Sequence, residues 1–158
     1  SALKWAAPYS DGNMDATMMS SAEFKRVDQL PITPVLFDPA TLTSDGWIHD
    51  ADQRNLGDCY FIEACSAAAY ASENIEDIFL TDTINDNGIF AASVYVKGVP
   101  TTVVVDDLLP FNTTNGMGGL SFAIQDSITG AICTPILEKM WAKCNCNYES
   151  IKWICSGY

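Results

Sequence analysis

The sequence predicts an α+β domain, mainly helical, and three features carry that prediction. An apolar, alanine-rich run from Phe61 to Ala71 is built of strong helix formers. Two β-rich runs, Gly88 to Val96 and Pro100 to Asp106, flank Lys97-Gly98, a pair suited to a tight turn, so they form a hairpin. Ile136, Leu137, Met140 and Trp141 recur at helical spacing behind Thr134-Pro135, which reads as an N-cap followed by proline in the first turn. At 158 residues the chain is one domain by length. A chain of this size buries roughly 68–70% of its unfolded surface and needs no disulfides to hold a core.

The elements follow in order. Residues 1–50 are rich in Pro, Ser, Thr and Asp, and Pro31, Pro34 and Pro39 interrupt regular structure. This segment is expected to be an extended, loop-rich lead-in packed on the core, with one short helix around Ser21–Gln29. A central helix runs from Asp58 to about Asn74, its small alanines suited to burial. The hairpin follows. Asp107 to Asp126 is a turn-rich stretch, with Gly116, Gly118 and Gly119 in a loop. A second helix spans Thr134–Asn145, and a short third runs from Glu149 to Cys155. No internal repeat or low-complexity tract is present.

Composition narrows the function classes. The apolar fraction is 48%, which is ordinary for a globular domain. Net charge is −12, from 20 acidic and 8 basic residues. Between Arg54 and Lys97 there is no Lys or Arg, while Asp58, Glu63, Glu73, Glu76, Asp77, Asp82 and Asp86 fall inside that window. Such a surface repels nucleic acid and anionic membranes, and its simplest role is solubility. No apolar stretch approaches the roughly 20 residues of a membrane span. Of six cysteines, Cys65 and Cys133 lie in apolar runs and read as buried thiols. Cys144-Asn145-Cys146 is a C-x-C, and with one histidine in the chain it makes a poor zinc site. A reducing, cytoplasmic setting is the simpler expectation, although the sequon Asn112-Thr113-Thr114 points the other way.

The chemistry concentrates in Gln53-Arg54-Asn55-Leu56-Gly57-Asp58-Cys59-Tyr60. A cysteine in the first turn of a helix feels the positive end of the helix dipole, which favours thiolate. A thiolate attacking a carbonyl needs donors for the oxyanion, and the Cys59 N–H with the Gln53 amide could supply them. The catalytic candidates are therefore Cys59 as nucleophile and Gln53 in the oxyanion hole. Gly57, Asp58 and Tyr60 are the substrate-side candidates, Asp58 doubling as helix N-cap. The Gly57-Asp58-Cys59-Tyr60 pattern fits the papain-like Cys-His-Asn proteases. The only histidine, His49, sits in a loop-like stretch beside Trp47 and Asp50 and reads as an ordinary loop residue. The segment Thr83-Ile-Asn85-Asp-Asn87-Gly88 fails as an EF-hand, with Thr in the first position and Val94 where the bidentate glutamate belongs, and reads as a polar turn.

Three blocks together resemble the calpains, the papain-related, calcium-regulated cysteine endopeptidases. They are Gln53 to Ala64; Asn87-Gly-Ile-Phe90 with Thr102 to Pro110; and Ile136 to Lys143 with Asn147-Tyr-Glu-Ser150 and Ser156-Gly157. Phe24-Lys-Arg26 and Leu36-Phe37 look like the family's lead-in, so the resemblance covers about residues 24–158. It implies that residues 51–158 form the first subdomain of the calpain protease core, similar to the papain left lobe. The family's catalytic His and Asn belong to a second subdomain, here expected from a further segment or a partner chain. Protein substrates follow, as does proteolysis by Cys59 with Gln53. The family also binds calcium in this subdomain, and Asp50 matches its aspartate ligand. Two departures stand out. Tyr60 replaces the usual Trp, and the calcium-binding glutamate's place falls at or near Ala131, which removes a carboxylate from a hard-cation site. A second function class is therefore open: a non-catalytic calpain-homology module serving as a scaffold in a larger assembly. A third is a peptide-binding regulator that caps another protease with half a cleft.

Overall fold

The computed structural model describes residues 22–37, 56–68, 73–112, 119–123 and 130–152. Its strands are β1 (Ala22–Arg26), β2 (Ile89–Val96), β3 (Val99–Asp106), β4 (Leu108–Asn112) and β5 (Gly119–Leu120). Its α-helices are α1 (Cys59–Ala68), α2 (Glu73–Glu76), α3 (Cys133–Cys144) and α4 (Tyr148–Ile151). Strand and helix contribute comparable lengths, so the domain is α+β without the expected dominance of helix.

The hairpin forms as its turn chemistry requires. Lys97 and Gly98 take φ of 52° and 79°, the paired left-handed conformations of a two-residue turn that suits strand twist. β2 and β3 run antiparallel from Ile89↔Asp106 to Val96↔Val99. Phe90 and Ala92 alternate inward on β2, facing Val103 and Val105 from β3 within one core. A bridge from Phe79 to Ala92 widens this sheet, with Leu80 N–H on the Ala91 carbonyl at 2.8 Å.

The second sheet departs from expectation. Ala22–Arg26 is a strand, and the residues after it, Val27–Gln29, form a single 3-10 turn. β1 pairs antiparallel with β4, from Ala22↔Asn112 to Arg26↔Leu108, and β4 pairs with β5 through Phe111↔Leu120. The stretch expected to be turn-rich thus supplies two strands. The lead-in also ties to the start of α3: Val35 bridges Ala131 in parallel, and the Leu36 carbonyl accepts the Cys133 N–H at 3.1 Å.

The helix at the centre of the described fold is α3. Cys133, Pro135, Ile136, Leu137, Glu138, Lys139, Met140 and Ala142 are all buried. The helix expected there, α1, is fully buried only at Ile62, while Glu63, Ala64 and Ala67 are exposed. Alanine side chains bury little area, whereas the large aliphatics of α3 draw the sheets around it. α3 begins at Cys133 behind Ile132, which gives no side-chain cap, so Pro135 is its third residue rather than its first. The last helix is the single turn Tyr148–Ile151, shorter and earlier than expected, with Asn147 capping the Ser150 N–H at 2.8 Å.

Two ion pairs hold α3 and β1 to the β3–β4 corner. Lys139 pairs with Asp106 and also donates to the Leu108 carbonyl at 2.6 Å. Next to it Arg26 pairs with Asp107 at 2.5 Å, joining the lead-in strand to the β3–β4 corner. Buried charges persist only when paired and hydrogen-bonded, and both cations here satisfy that demand. Among the described residues, no helix is long and apolar enough to cross a membrane.

Candidate functional site

The site is built where the chain turns into α1. Leu56 is buried in a small apolar cluster with Phe122, Ala142, Tyr148 and Ile151. The Asp58 N–H folds back onto the Leu56 carbonyl at 3.0 Å, and the Asp58 carbonyl accepts from Phe61 (2.8 Å) and Ile62 (3.3 Å). The helix therefore starts on the Asp58 backbone, and Cys59 is its first residue, half-buried. An N–H in that position has no intrahelical acceptor, so it can meet a developing oxyanion.

The next two residues anchor this start. Tyr60 donates its hydroxyl to the Ile151 carbonyl at 3.0 Å and accepts from Trp141 Nε1 at 3.1 Å. Phe61 stacks on Trp141 with centroids 5.5 Å apart and planes within 4°. α1 is thereby tied to both α3 and α4 within one turn of Cys59. Tyr60, expected on the substrate side, spends its hydroxyl on this brace.

Asp58 also departs from expectation. Its side chain is fully buried, and neither carboxyl oxygen meets a hydrogen-bond donor among the described residues. It therefore caps no N–H and presents nothing to a substrate. Instead it faces Glu138 of α3, itself 2% exposed, whose two oxygens take the Ala123 N–H at 3.0 and 3.1 Å. Burial raises the Asp58 carboxyl above the usual range, against the pull of its contact with Glu138. Burial pushes Glu138 well up, and the Asp58 charge adds to it.

The other thiols are set apart by their surroundings. Burial pushes Cys65 up to about 12, with the Glu138 and Asp58 charges adding to it, and burial pushes Cys133 up to about 12 as well. Thiols this weakly acidic are poor nucleophiles. Cys146 is exposed at φ 86°, past the end of α3. Among the described cysteines, Cys59 alone stands at the start of a helix of more than one turn whose first residue is reachable from solvent.

Beside α1 lies an apolar cavity of about 230 Å³, walled by Phe61, Cys65, Ala68, Ile75, Met140 and Trp141 among others. Cys59 does not line it. Gly57 is half-buried between Leu56 and Asp58. Gln53, Asp50 and His49 lie outside the described residues. Ala131 is held by its bridge to Val35 and brings no carboxylate. Among the described residues no cluster of three or more His, Cys, Asp or Glu could hold a metal ion. The sequence marked Trp141 only as part of a helix face and did not single out Glu138, although two charged residues amid the apolar spacing of Ile136–Trp141 mark an interior that demands partners.

The model of calpain family cysteine proteases matches residues 8–156. The calpain-type cysteine protease DEK1 of Zea mays is 31% identical over 119 residues, covering 75% of this chain and 5% of the relative. Calpain clp-1 of Caenorhabditis elegans is 28% identical over 143 residues, covering 89% and 18%. The human calpain-1 catalytic subunit is 30% identical over 152 residues, covering 90% and 19%. The chain thus spans a fifth or less of the length of these relatives. With a family match over nearly its whole length, this chain belongs to the calpain family of cysteine proteases.

Proposed function

We propose that this chain is the nucleophile-bearing half of a calpain-like cysteine endopeptidase core, similar to the papain left lobe and inactive until joined to a subdomain that supplies His and Asn. The observation that carries the reading is Cys59 at the first position of a braced helix, its N–H directed out of the helix end. The exposed face of α1, with Glu63, Ala64 and Ala67, suits a helix that a second lobe would cover.

In the joined enzyme Cys59 Sγ attacks the carbonyl carbon of a peptide bond, while the partner imidazole takes the thiol proton. The Cys59 N–H and the Gln53 amide hold the oxyanion. Collapse of the tetrahedral adduct breaks the C–N bond, and the imidazole returns the proton to the leaving amine. Water then hydrolyses the thioester and regenerates the thiol. Gly57 keeps backbone bulk low beside Sγ, and Tyr60 acts through its brace rather than by touching substrate.

Calcium has no step in this scheme. Asp50 with Ala131 in place of a glutamate is a donor set short of one carboxylate, which fits a hard cation poorly. A reducing cytoplasmic setting would keep Cys59 as the free thiol this chemistry requires. A scaffold role is the second reading, favoured by Tyr60 and Ala131. Supplying the His- and Asn-bearing half separates the two. Selective alkylation of Cys59 by a peptide-directed thiol probe at neutral pH supports the protease. An indifferent Cys59 in the joined protein supports the scaffold and overturns the protease.

A further inference from the structure

Asp58 and Glu138 are the two buried carboxyl groups of the described fold that meet no cation. Asp58 immediately precedes Cys59 and is fully buried, with both oxygens lacking a donor. Glu138 is 2% exposed, and the one N–H it receives is that of Ala123. Two facing carboxylates, both ionised, would bury two like charges side by side with no cation among the described residues to offset them. That arrangement is untenable, whereas one proton between them gives Asp58 the donor it lacks and leaves a single charge.

We propose that Asp58 and Glu138 hold one proton between them, and that this proton latches the residue ahead of Cys59 onto α3, making both positioning residues for the nucleophile. The proposal rests on the protease reading only for the role of Cys59. Among the described residues the groups facing the pair are few. Cys65 faces it from α1, feeling both carboxyls, and Cys133 lies beyond Cys65 at the start of α3. The Ala123 N–H faces it from the segment after β5. Lys139 is turned away: the charges it feels are Asp106, Asp107 and Arg26. Among the described residues, therefore, no cation is placed to replace the proton. When the proton leaves as pH rises, a second negative charge appears one residue from Cys59, and the start of α1 is pushed off α3.

Three readings on the full chain decide it. Infrared spectra of the wild type at near-neutral pH are expected to show the carbonyl stretch of a buried, protonated carboxyl. The stretch is expected to vanish in both Glu138→Gln and Asp58→Asn, since either amide donates to the remaining carboxylate without a proton. Its absence from the wild type, or its survival in both variants, overturns the proposal. The wild-type spectrum alone can overturn the proposal, so the test stands even where a variant fails to fold.

The second reading is the ratio of Cys59 alkylation by anionic iodoacetate to that by neutral iodoacetamide. In the wild type the ratio is expected to fall about threefold as the pair loses its proton, the effect of one added nearby charge. Glu138→Gln, which cannot lose that proton, is expected to hold the ratio level. Equal behaviour of the two proteins overturns the latch. The third reading is rescue: Glu138→Gln retains the wild-type iodoacetamide rate within about twofold, and Glu138→Ala does not. Identical rates in the two variants overturn the positioning role. Turnover by the chain joined to its second half tests the protease reading separately, because none of these three readings requires it.

Discussion

Replacing Gly88 by alanine is expected to destabilise this domain far more than the same change at Gly98. Both glycines have positive φ, 64° and 79°, so each alanine carries the left-handed backbone penalty of about 1–2 kcal/mol. Their surroundings differ. A Cβ at Gly98 would meet nothing within 4 Å, whereas one at Gly88 would fall 2.5 Å from Asp107 Oδ1 and 2.7 Å from its Cγ. Asp107 cannot give way cheaply. Its side chain is 4% exposed, the same Oδ1 holds Arg26 at 2.5 Å, and its N–H is bound to the Gly88 carbonyl at 3.0 Å. Loss of a hydrogen bond to a buried charge costs about 1.5–3 kcal/mol, so Gly88→Ala should cost about 3–5 kcal/mol in all. Urea unfolding of both variants gives the comparison, with equal m-values confirming a common unfolding transition. At about 2–4 °C per kcal/mol, Gly88→Ala should melt roughly 4–12 °C below Gly98→Ala. Equal losses would refute the reasoning, showing that Asp107 moves freely and that Arg26 does not fix the β3–β4 corner.

Further expectations follow from the other buried groups. Lys139→Met should cost about 3–5 kcal/mol in unfolding experiments by removing the cation that offsets the buried Asp106 charge, and adding Asp106→Asn should recover part of that loss. Tyr60→Phe should cost about 1–2 kcal/mol, since Trp141 Nε1 and the Ile151 carbonyl both lose their partner, and it should slow turnover in the joined enzyme through the loosened start of α1. Asp58 and Glu138 both sit above their unfolded values, so the folded state binds the extra proton. Their contribution is complete below about pH 4, where the unfolded carboxyls are protonated, and is lost as pH rises through the raised folded values. Glu138→Gln should flatten that fall in a melting-temperature profile. Iodoacetamide mapped by mass spectrometry should modify Cys59 and Cys146 early, and Cys65 and Cys133 only on unfolding.

What could be read from the sequence was what local chemistry decides. The hairpin was legible because Lys97-Gly98 allows only a narrow set of turns between β-branched strands. α3 was legible from the spacing of Ile136, Leu137, Met140 and Trp141. β1 was misread because Ala22-Glu-Phe-Lys-Arg26 contains good helix formers, and only pairing with β4, far along the chain, makes it a strand. β4 was hidden by Pro110, which suggests a turn. In the sheet that proline lies opposite Phe24 and contributes its carbonyl to the Ser121 N–H at 2.8 Å, so its missing N–H matters little. At the site, Cys59 and its helix start were visible in Gly57-Asp58-Cys59-Tyr60. The inward turn of Asp58 was not, because its partner is Glu138, remote in sequence. Nor was the Tyr60 brace, because its partners Trp141 and Ile151 are equally remote.

Hydrolysis of a peptide substrate by this chain joined to a subdomain bearing the catalytic His and Asn, compared with the same protein carrying Cys59→Ala, tests the proposed function most directly. The account predicts turnover in the joined protein that disappears with the Cys59 sulfur, and none from the chain alone. Turnover that survives Cys59→Ala, or a correctly folded joined protein with no turnover at all, would contradict it.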